Sequence, residues 1–254
     1  MKIARDTALV LRRQLLLTLR TPVGFAIGLV QPVVYVALWA PTLKLALKSA
    51  GVTSYAAAFR AYVPGLLTVM AVYGGLFAGF GLLGEIRSGV IERGLVTPVS
   101  RVALMLGRAL RDVVSMFAGA VIVTVFAIGV GMRIGLGDVL LAWLMVILLE
   151  VMMVSLGYAV SMTVPNEAAL VTVIDTAVQP VMLLAGVLLP LSVAPLLLVR
   201  IAKWDPLYWV TAGVRALFNG DTGAFAVWMS LAVVVVLAGT AMAWAVRMFA
   251  RIAH

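Results

Sequence analysis

The residues of this chain best suited to chemistry are charged side chains in a polar segment, residues 84–111, that interrupts an otherwise apolar sequence. Acidic and basic residues lie a few positions apart there, among them Glu85, Arg87, Glu92 and Arg93. They do not form a catalytic set, but such side chains form salt bridges that fix the orientation and register of a protein partner. The segment therefore predicts contact with something soluble.

Other reactive side chains are scarce. The chain contains no cysteine, and its single histidine is the last residue, His254, so disulfides, thiolate metal sites and cysteine catalysis are excluded. The sequence has no glycine-rich phosphate loop, no His-Glu-x-x-His motif and no nucleophilic serine elbow. We predict a protein that is not an enzyme and has no cofactor or metal site of its own. Its energy would come from a partner or from a gradient.

Two acidic residues, Glu150 and Asp175, lie inside long apolar runs. A charge at mid-membrane costs about 2.5–3.5 kcal/mol on insertion scales, so such a residue is neutral, paired or beside a wet cavity. One interpretation is recognition of a cationic, amphipathic substrate. The other is structural, an interhelical hydrogen bond. The candidate partners by composition are Thr172, Thr176, Gln179 and Ser155.

Composition indicates what must position these residues. The chain has 254 residues, of which 64% are hydrophobic and 11% charged, and its mean hydropathy is +1.17. A soluble domain is about half apolar and about a quarter charged. The chain is therefore predicted to be an all-α integral membrane protein, a single transmembrane domain over residues 1–254.

Apolar runs of about 20 residues, the length that spans a bilayer as a helix, predict six transmembrane helices. They lie near 23–43, 62–84, 114–132, 139–162, 168–190 and 224–246. The stretch that follows the fifth span predicts a re-entrant helical hairpin on the outer side, residues 191–220. Asp205 suits the cap of its second helix and Pro206 the first position, and Trp209 is typical of a membrane–water interface.

Basic residues predict the orientation. With the N-terminus inside, 12 of the 19 Lys and Arg side chains fall in inner segments, which places both termini and the loop 85–111 in the cytosol. The net charge of +9 then reflects topology and contact with anionic lipid heads. Nucleic acid is not a predicted partner, because no basic stripe with interleaved aromatic residues occurs.

Residues 1–21 show apolar side chains at helical spacing beside a basic face, which predicts an amphipathic helix. It is either a simple anchor in the inner interface or an elbow helix that also meets a cytosolic partner. Gly75 and Gly79 form a small-x-x-x-small pair, typical of close helix packing; a sliding or dimer-facing surface is the alternative. Gln179-Pro180 predicts a bend or a hinge inside the fifth span.

The polar segment carries a family resemblance. Its pattern is Glu85-x-Arg87-x-Gly89-x-x-Glu92-Arg93-x-x-x-Thr97-Pro98-x-Ser100-Arg101, followed by Gly107-Arg108. It resembles the cytosolic loop of type-2 ATP-binding-cassette export permeases, in particular those of the daunorubicin-resistance type. A later run, Asp205-Pro206-Leu207-x-Trp209-Val210 with Arg215, is similar to the family signature before the last span. Asp205 stands where the family usually has Asn, which keeps the cap chemistry but adds a charge.

The resemblance implies a half-transporter of a bacterial plasma membrane. Two such permeases, identical or homologous, sit on two cytosolic ATPase subunits, which bind ATP and magnesium. The 85–111 loop would hold a coupling helix: Ile91 and Leu95 plug an apolar groove of the ATPase, Glu92 and Arg93 set the register, and Pro98 ends the helix.

The implied activity is outward export of an amphipathic drug or lipid-like molecule. Spans two and five would line the route. The pathway candidates are Glu150, Asp175, Gln179, Gly75 and Gly79, and the outer-gate candidates are Asp205, Pro206, Trp209 and Arg215. A lipid-linked glycan exporter and a gradient-driven transporter stay open as alternatives.

Overall fold

The computed structural model describes residues 2–20, 22–46, 54–90, 100–187 and 195–252. These residues form helices and no strands, which confirms the all-α prediction. In chain order the helices are α1 (Lys2–Arg20), α2 (Pro22–Ala46), α3 (Tyr55–Arg87), α4 (Arg101–Gly129), α5 (Leu136–Ser161), α6 (Glu167–Leu184), α7 (Leu196–Ala202), α8 (Pro206–Phe218) and α9 (Phe225–Ile252).

Five of these helices are long and apolar enough to cross a membrane. They are α3, α4, α5, α6 and α9, and they correspond to the second through sixth predicted spans. The first predicted span, 23–43, lies inside α2, which is helical from Pro22 to Ala46; the part of it described with its side chains includes the apolar stretch Val30–Trp39. The six-span count therefore stays a prediction.

Local signals set the ends of the helices. Ser54, Ser100 and Asn166 each precede a helix, and the side-chain oxygen of each accepts a hydrogen bond from the backbone N–H three residues on, at 3.1, 3.1 and 2.8 Å. This is ordinary N-capping. Helix α6 ends at Leu184, and Gly186 follows with a φ of 63°, which suits glycine just beyond a helix C-terminus.

Helix α5 is central and packs against α3, α4, α8 and α9. Its contact with α3 is unusually close because glycines face it. A Cβ added to Gly75 would lie 2.6 Å from Met153 Cβ, and one added to Gly79 would lie 2.5 Å from the carbonyl oxygen of Gly157. Both glycines therefore serve close packing within one chain, and their small size is needed on this face.

A matched pair of substitutions on α3 tests this packing. We expect Gly79→Ala to destabilise the protein by about 1–3 kcal/mol, since overpacking forces the two helices apart. Gly84→Ala is the control, because a Cβ there meets nothing within 4 Å and alanine favours a helix over glycine by about 1 kcal/mol. Thermal unfolding in detergent should rank Gly84→Ala at or above the wild type and Gly79→Ala below it; equal midpoints would contradict the packing assignment.

Helix α1 lies against α4. Its nearest approach is at Gly107, where an added Cβ would lie 2.6 Å from Val10 Cγ1 and 3.1 Å from the backbone nitrogen of Leu11. Thr7 of α1 is buried, whereas Leu9, Leu16 and several other apolar side chains of the helix are exposed. The first helix is thus fixed to α4 on one face and leaves a separate apolar face free.

Candidate functional site

The polar segment begins and ends inside helices. Glu85–Arg87 form the last turn of α3, and residues 101–111 form the first turns of α4, so both ends of the predicted 85–111 loop are helical. The coupling candidates Ile91, Glu92, Arg93, Leu95 and Pro98 lie outside the described residues. Ser100 has a structural role as the N-cap of α4, and Arg101 is the first residue of that helix.

An ion pair joins the two helices at the base of the segment. Arg108 Nη2 of α4 contacts Glu85 Oε2 of α3, and the Arg108 side chain is only 7% exposed while that of Glu85 is 28% exposed. A guanidinium this deeply buried needs its partner, because an uncompensated buried charge is strongly unfavourable. The pair therefore holds the two ends of the polar segment together.

A second set of polar contacts links α4 to α5. Arg111 Nη2 lies 3.0 Å from Asp112 Oδ1, and Tyr158 Oη donates a hydrogen bond of 2.8 Å to Asp112 Oδ2. Tyr158 is 1% exposed. Sequence reasoning missed this set, because Tyr158 lies in an apolar run 46 residues from its partner. The sequence feature that could have indicated it is the adjacent pair Arg111-Asp112 at the start of a predicted span.

The end of α3 also contacts the turn between α5 and α6. Arg87 Nη2 donates to the carbonyl oxygen of Pro165, between α5 and α6. Gly89, two residues later, has a φ of 66°, a conformation that favours glycine. Glu85 and Arg87 thus connect the end of α3 to α4 and to the α5–α6 turn.

Glu150 is 1% exposed on α5. It faces Gly74, where an added Cβ would lie 3.5 Å from both carboxyl oxygens. Its Oε2 atom is buried, and no described residue donates a hydrogen bond to it. The predicted structural partner Ser155 was wrong, because that hydroxyl donates to the carbonyl oxygen of Val151 at 2.7 Å. Glu150 is therefore a buried acid without a polar partner among the described residues.

Asp175 and Gln179 lie one turn apart on α6 and share a face. Gln179 Nε2 donates to Tyr73 Oη of α3 at 3.1 Å, so this amide links α6 to α3. Thr172 was another predicted partner for the acids, but its hydroxyl bonds to the carbonyl oxygen of Ala168 at 2.9 Å. Gln179 contacts Tyr73 and Glu150 faces Gly74. Tyr73 and Gly74 are consecutive residues of α3.

The start of α8 confirms the predicted cap. Asp205 Oδ1 accepts a 2.9 Å hydrogen bond from the backbone N–H of Leu207, and Pro206 occupies the first turn. Trp209 Nε1 donates to the carbonyl oxygen of Lys203 at 3.0 Å. Its ring packs edge-to-face against Phe225 at 6.0 Å. These contacts fix the turn between α7 and α8.

Arg215 anchors the other end of α8. Its Nη2 atom donates to the carbonyl oxygens of Gly186, at 3.1 Å, and Val187, at 3.4 Å, just beyond the end of α6. A cation suits this place, where helix carbonyls lack partners. Burial lowers the pKa of Arg215 to about 10, which leaves it charged at neutral pH. Gly65 leaves space for the same carbonyl of Val187.

Burial also raises the pKa of Asp205 to about 6, although the hydrogen bond from Leu207 lowers it. Since this exceeds the unfolded value of about 3.9, the folded state binds the proton more tightly. The contribution of Asp205 to stability therefore falls as pH rises from about 4 to about 6.

We expect Asp205→Asn, which keeps the cap, to remove this dependence. The unfolding midpoint of the variant minus that of the wild type should rise by roughly 3–6 °C between pH 4.5 and 7.5. Differential scanning fluorimetry at both pH values measures it. A constant difference across this range would show that the Asp205 carboxyl is not perturbed.

The model of one protein family, the ABC-2 type transporter, matches residues 5–219. No curated protein matches the chain. The matched range contains the polar segment with its Glu85–Arg108 pair, four of the five long apolar helices and the α7–α8 hairpin. The chain therefore belongs to the ABC-2 type transporter family and is a membrane-spanning permease subunit of an ABC-type exporter.

Proposed function

We propose that this permease exports an amphipathic drug or lipid-like molecule outward across a bacterial plasma membrane. It would act as a dimer with an identical or homologous permease, and two separate cytosolic ATPase subunits, which bind ATP and magnesium, would supply the energy. The N- and C-termini and the polar segment would face the cytosol, as the basic residues indicate. The proposed drug type follows the resemblance to daunorubicin-resistance permeases.

The observation that carries the proposal is the fixed base of the polar segment. Glu85 and Arg108 join α3 to α4, and Arg87 joins the end of α3 to the carbonyl of Pro165. A displacement of the segment by a moving ATPase would therefore be transmitted to α3, α4 and the α5–α6 turn together. An isolated flexible loop could not transmit it in this way.

A coupling helix within the 85–111 segment, ended by Pro98, would complete this connection to the ATPase. Glu92 and Arg93 would set its register in the ATPase groove, and Ile91 and Leu95 would fill the groove, as the motif implies. Tagged permease should retain an ATPase subunit through purification, and Glu92→Arg should lose it. Arg200→Glu is the matched control, since Arg200 is an exposed residue of α7 outside the polar segment. Retention by both variants would contradict docking through this segment.

The surface of α6 and α7 supports the second protomer. Val171, Val173 and Leu183 of α6 are exposed, as are Leu196 and Leu197 of α7. Side chains of this kind need lipid or protein against them. Helix α6 is the least buried of the five long apolar helices. We propose that membrane lipids and the second protomer share this surface.

The two intramembrane acids support an amphipathic cation as cargo. Glu150 and Asp175 each offer a carboxyl group, and Glu150 has no hydrogen-bond donor among the described residues. We expect Glu150→Gln and Asp175→Asn each to raise the drug concentration that half-stimulates the partner ATPase by about tenfold, the effect of losing one charged hydrogen bond. A neutral drug of equal size is the control. Unchanged stimulation by cationic drugs in both variants would remove the acids from substrate recognition.

A further inference from the structure

An apolar cavity of about 380 Å³ lies between α6 and the rest of the bundle. Its walls come from α3, α5, α6 and α9, with Val72, Met152, Val178 and Trp244 as representatives, and the first residues of α8 close one side. A volume of this order suits a small molecule, since ligand sites occupy about 300–1,000 Å³. Neither Glu150 nor Asp175 lines the cavity.

Among the described residues that line this cavity, one has an ionisable side chain, Asp205. Its Oδ1 atom accepts the hydrogen bond from Leu207. Its Oδ2 atom is buried, and the described part of the chain supplies it with no hydrogen-bond donor. Asp205 as a whole is 8% exposed. A buried acceptor without a donor is costly, so a ligand that brings a donor here gains a strong interaction.

We propose that the cavity binds an amphipathic molecule with an apolar chain and a protonated amine, whose ammonium group pairs with the carboxylate of Asp205. The apolar walls accommodate the chain, and the carboxylate provides charge complementarity for the amine. An anionic head group would be repelled by the same carboxylate. A neutral alcohol could donate a hydrogen bond but would lack the charge that strengthens it.

The site goes beyond the proposed export function, because binding requires neither ATP nor a partner subunit. It can therefore be measured on the chain alone, purified into nanodiscs of phosphatidylcholine. That lipid carries no primary amine, which separates an added amine from an aminophospholipid head group as the source of the ammonium. The probes are a dodecylamine with a diazirine in its alkyl chain and the alcohol with the same chain.

After irradiation, peptides that carry the probe are identified by mass spectrometry at increasing probe concentration. We expect the amine to label the cavity walls on α5, α6 and α9 in a saturable manner. Asp205→Asn should weaken the amine by at least about tenfold, since a charged hydrogen bond is lost, and should leave the alcohol unchanged. Asn retains the helix cap, so the fold is preserved in this variant.

A second variant tests the position of the chain. Ala177 lies on the α6 wall and is exposed, so Ala177→Phe should fill space without displacing core residues. It should reduce labelling by both probes. Equal affinity of amine and alcohol in the wild type, equal amine affinity in Asp205→Asn, or labelling confined to residues outside the cavity would each overturn the proposal. If any of these results is obtained while the ATPase subunit still co-purifies with the permease, the proposed export function is not contradicted.

Discussion

Glu92→Arg should lower ATP-dependent export by at least tenfold while the permease still folds and inserts. In the proposed coupling helix Glu92 faces the ATPase subunit, and a reversed charge there places like charges together, which costs several kcal/mol across an interface. A factor of ten corresponds to only about 1.4 kcal/mol. Transport of a fluorescent drug into inverted membrane vesicles, started by ATP, measures the effect.

The control for this variant is Arg200→Glu, which reverses a charge at an exposed position of α7. It should export at the wild-type rate. Both variants should show wild-type expression and wild-type elution on size exclusion. Wild-type export by Glu92→Arg would remove the polar segment from energy coupling. A loss of both expression and export would instead show that Glu92 serves the fold.

The second large effect concerns Glu85, and it is a loss of stability. Glu85→Gln removes the carboxylate that contacts the guanidinium of Arg108, which is 7% exposed. Breaking a buried pair from one side costs about 3–5 kcal/mol. Glu85 is partly exposed, so we expect the low end, roughly 3 kcal/mol, and a midpoint lower by roughly 6–12 °C.

A double variant separates the charge from the packing. Glu85→Gln combined with Arg108→Gln removes both charges and should recover much of the lost stability, because no uncompensated buried charge is left. Asp221→Asn is the control, since Asp221 is exposed and surface substitutions change stability by about 0.5 kcal/mol or less. If Glu85→Gln and Asp221→Asn melt at the same temperature, the pair does not hold the segment.

Features that depend on local sequence were predicted well. The cap by Asp205 and the place of Pro206 depend on residues next to one another, and the structure has both. Helices α3 to α6 and α9 follow from the length of apolar runs. Gly75 and Gly79 were predicted to pack closely because small residues four apart share a helix face.

Features that depend on distant partners were not predicted. Gly157 contacts the backbone of α3, but in the sequence it is one glycine in an apolar run. Tyr158 and Asp112 meet only when α4 and α5 are packed. Ser155 does not pair with Glu150 because a serine hydroxyl in a helix can bond to the carbonyl oxygen one turn earlier. The Ser155 hydroxyl makes that local bond, to Val151.

We propose that this permease moves its substrate only when a separate ATPase drives it through the polar segment. The most direct measurement is drug transport in proteoliposomes that contain the permease with the ATPase subunit, or the permease alone, with ATP or with an imposed proton gradient. We predict transport only when permease, ATPase and ATP are all present, and its loss in Glu92→Arg. Transport by the permease alone under a proton gradient would contradict the account.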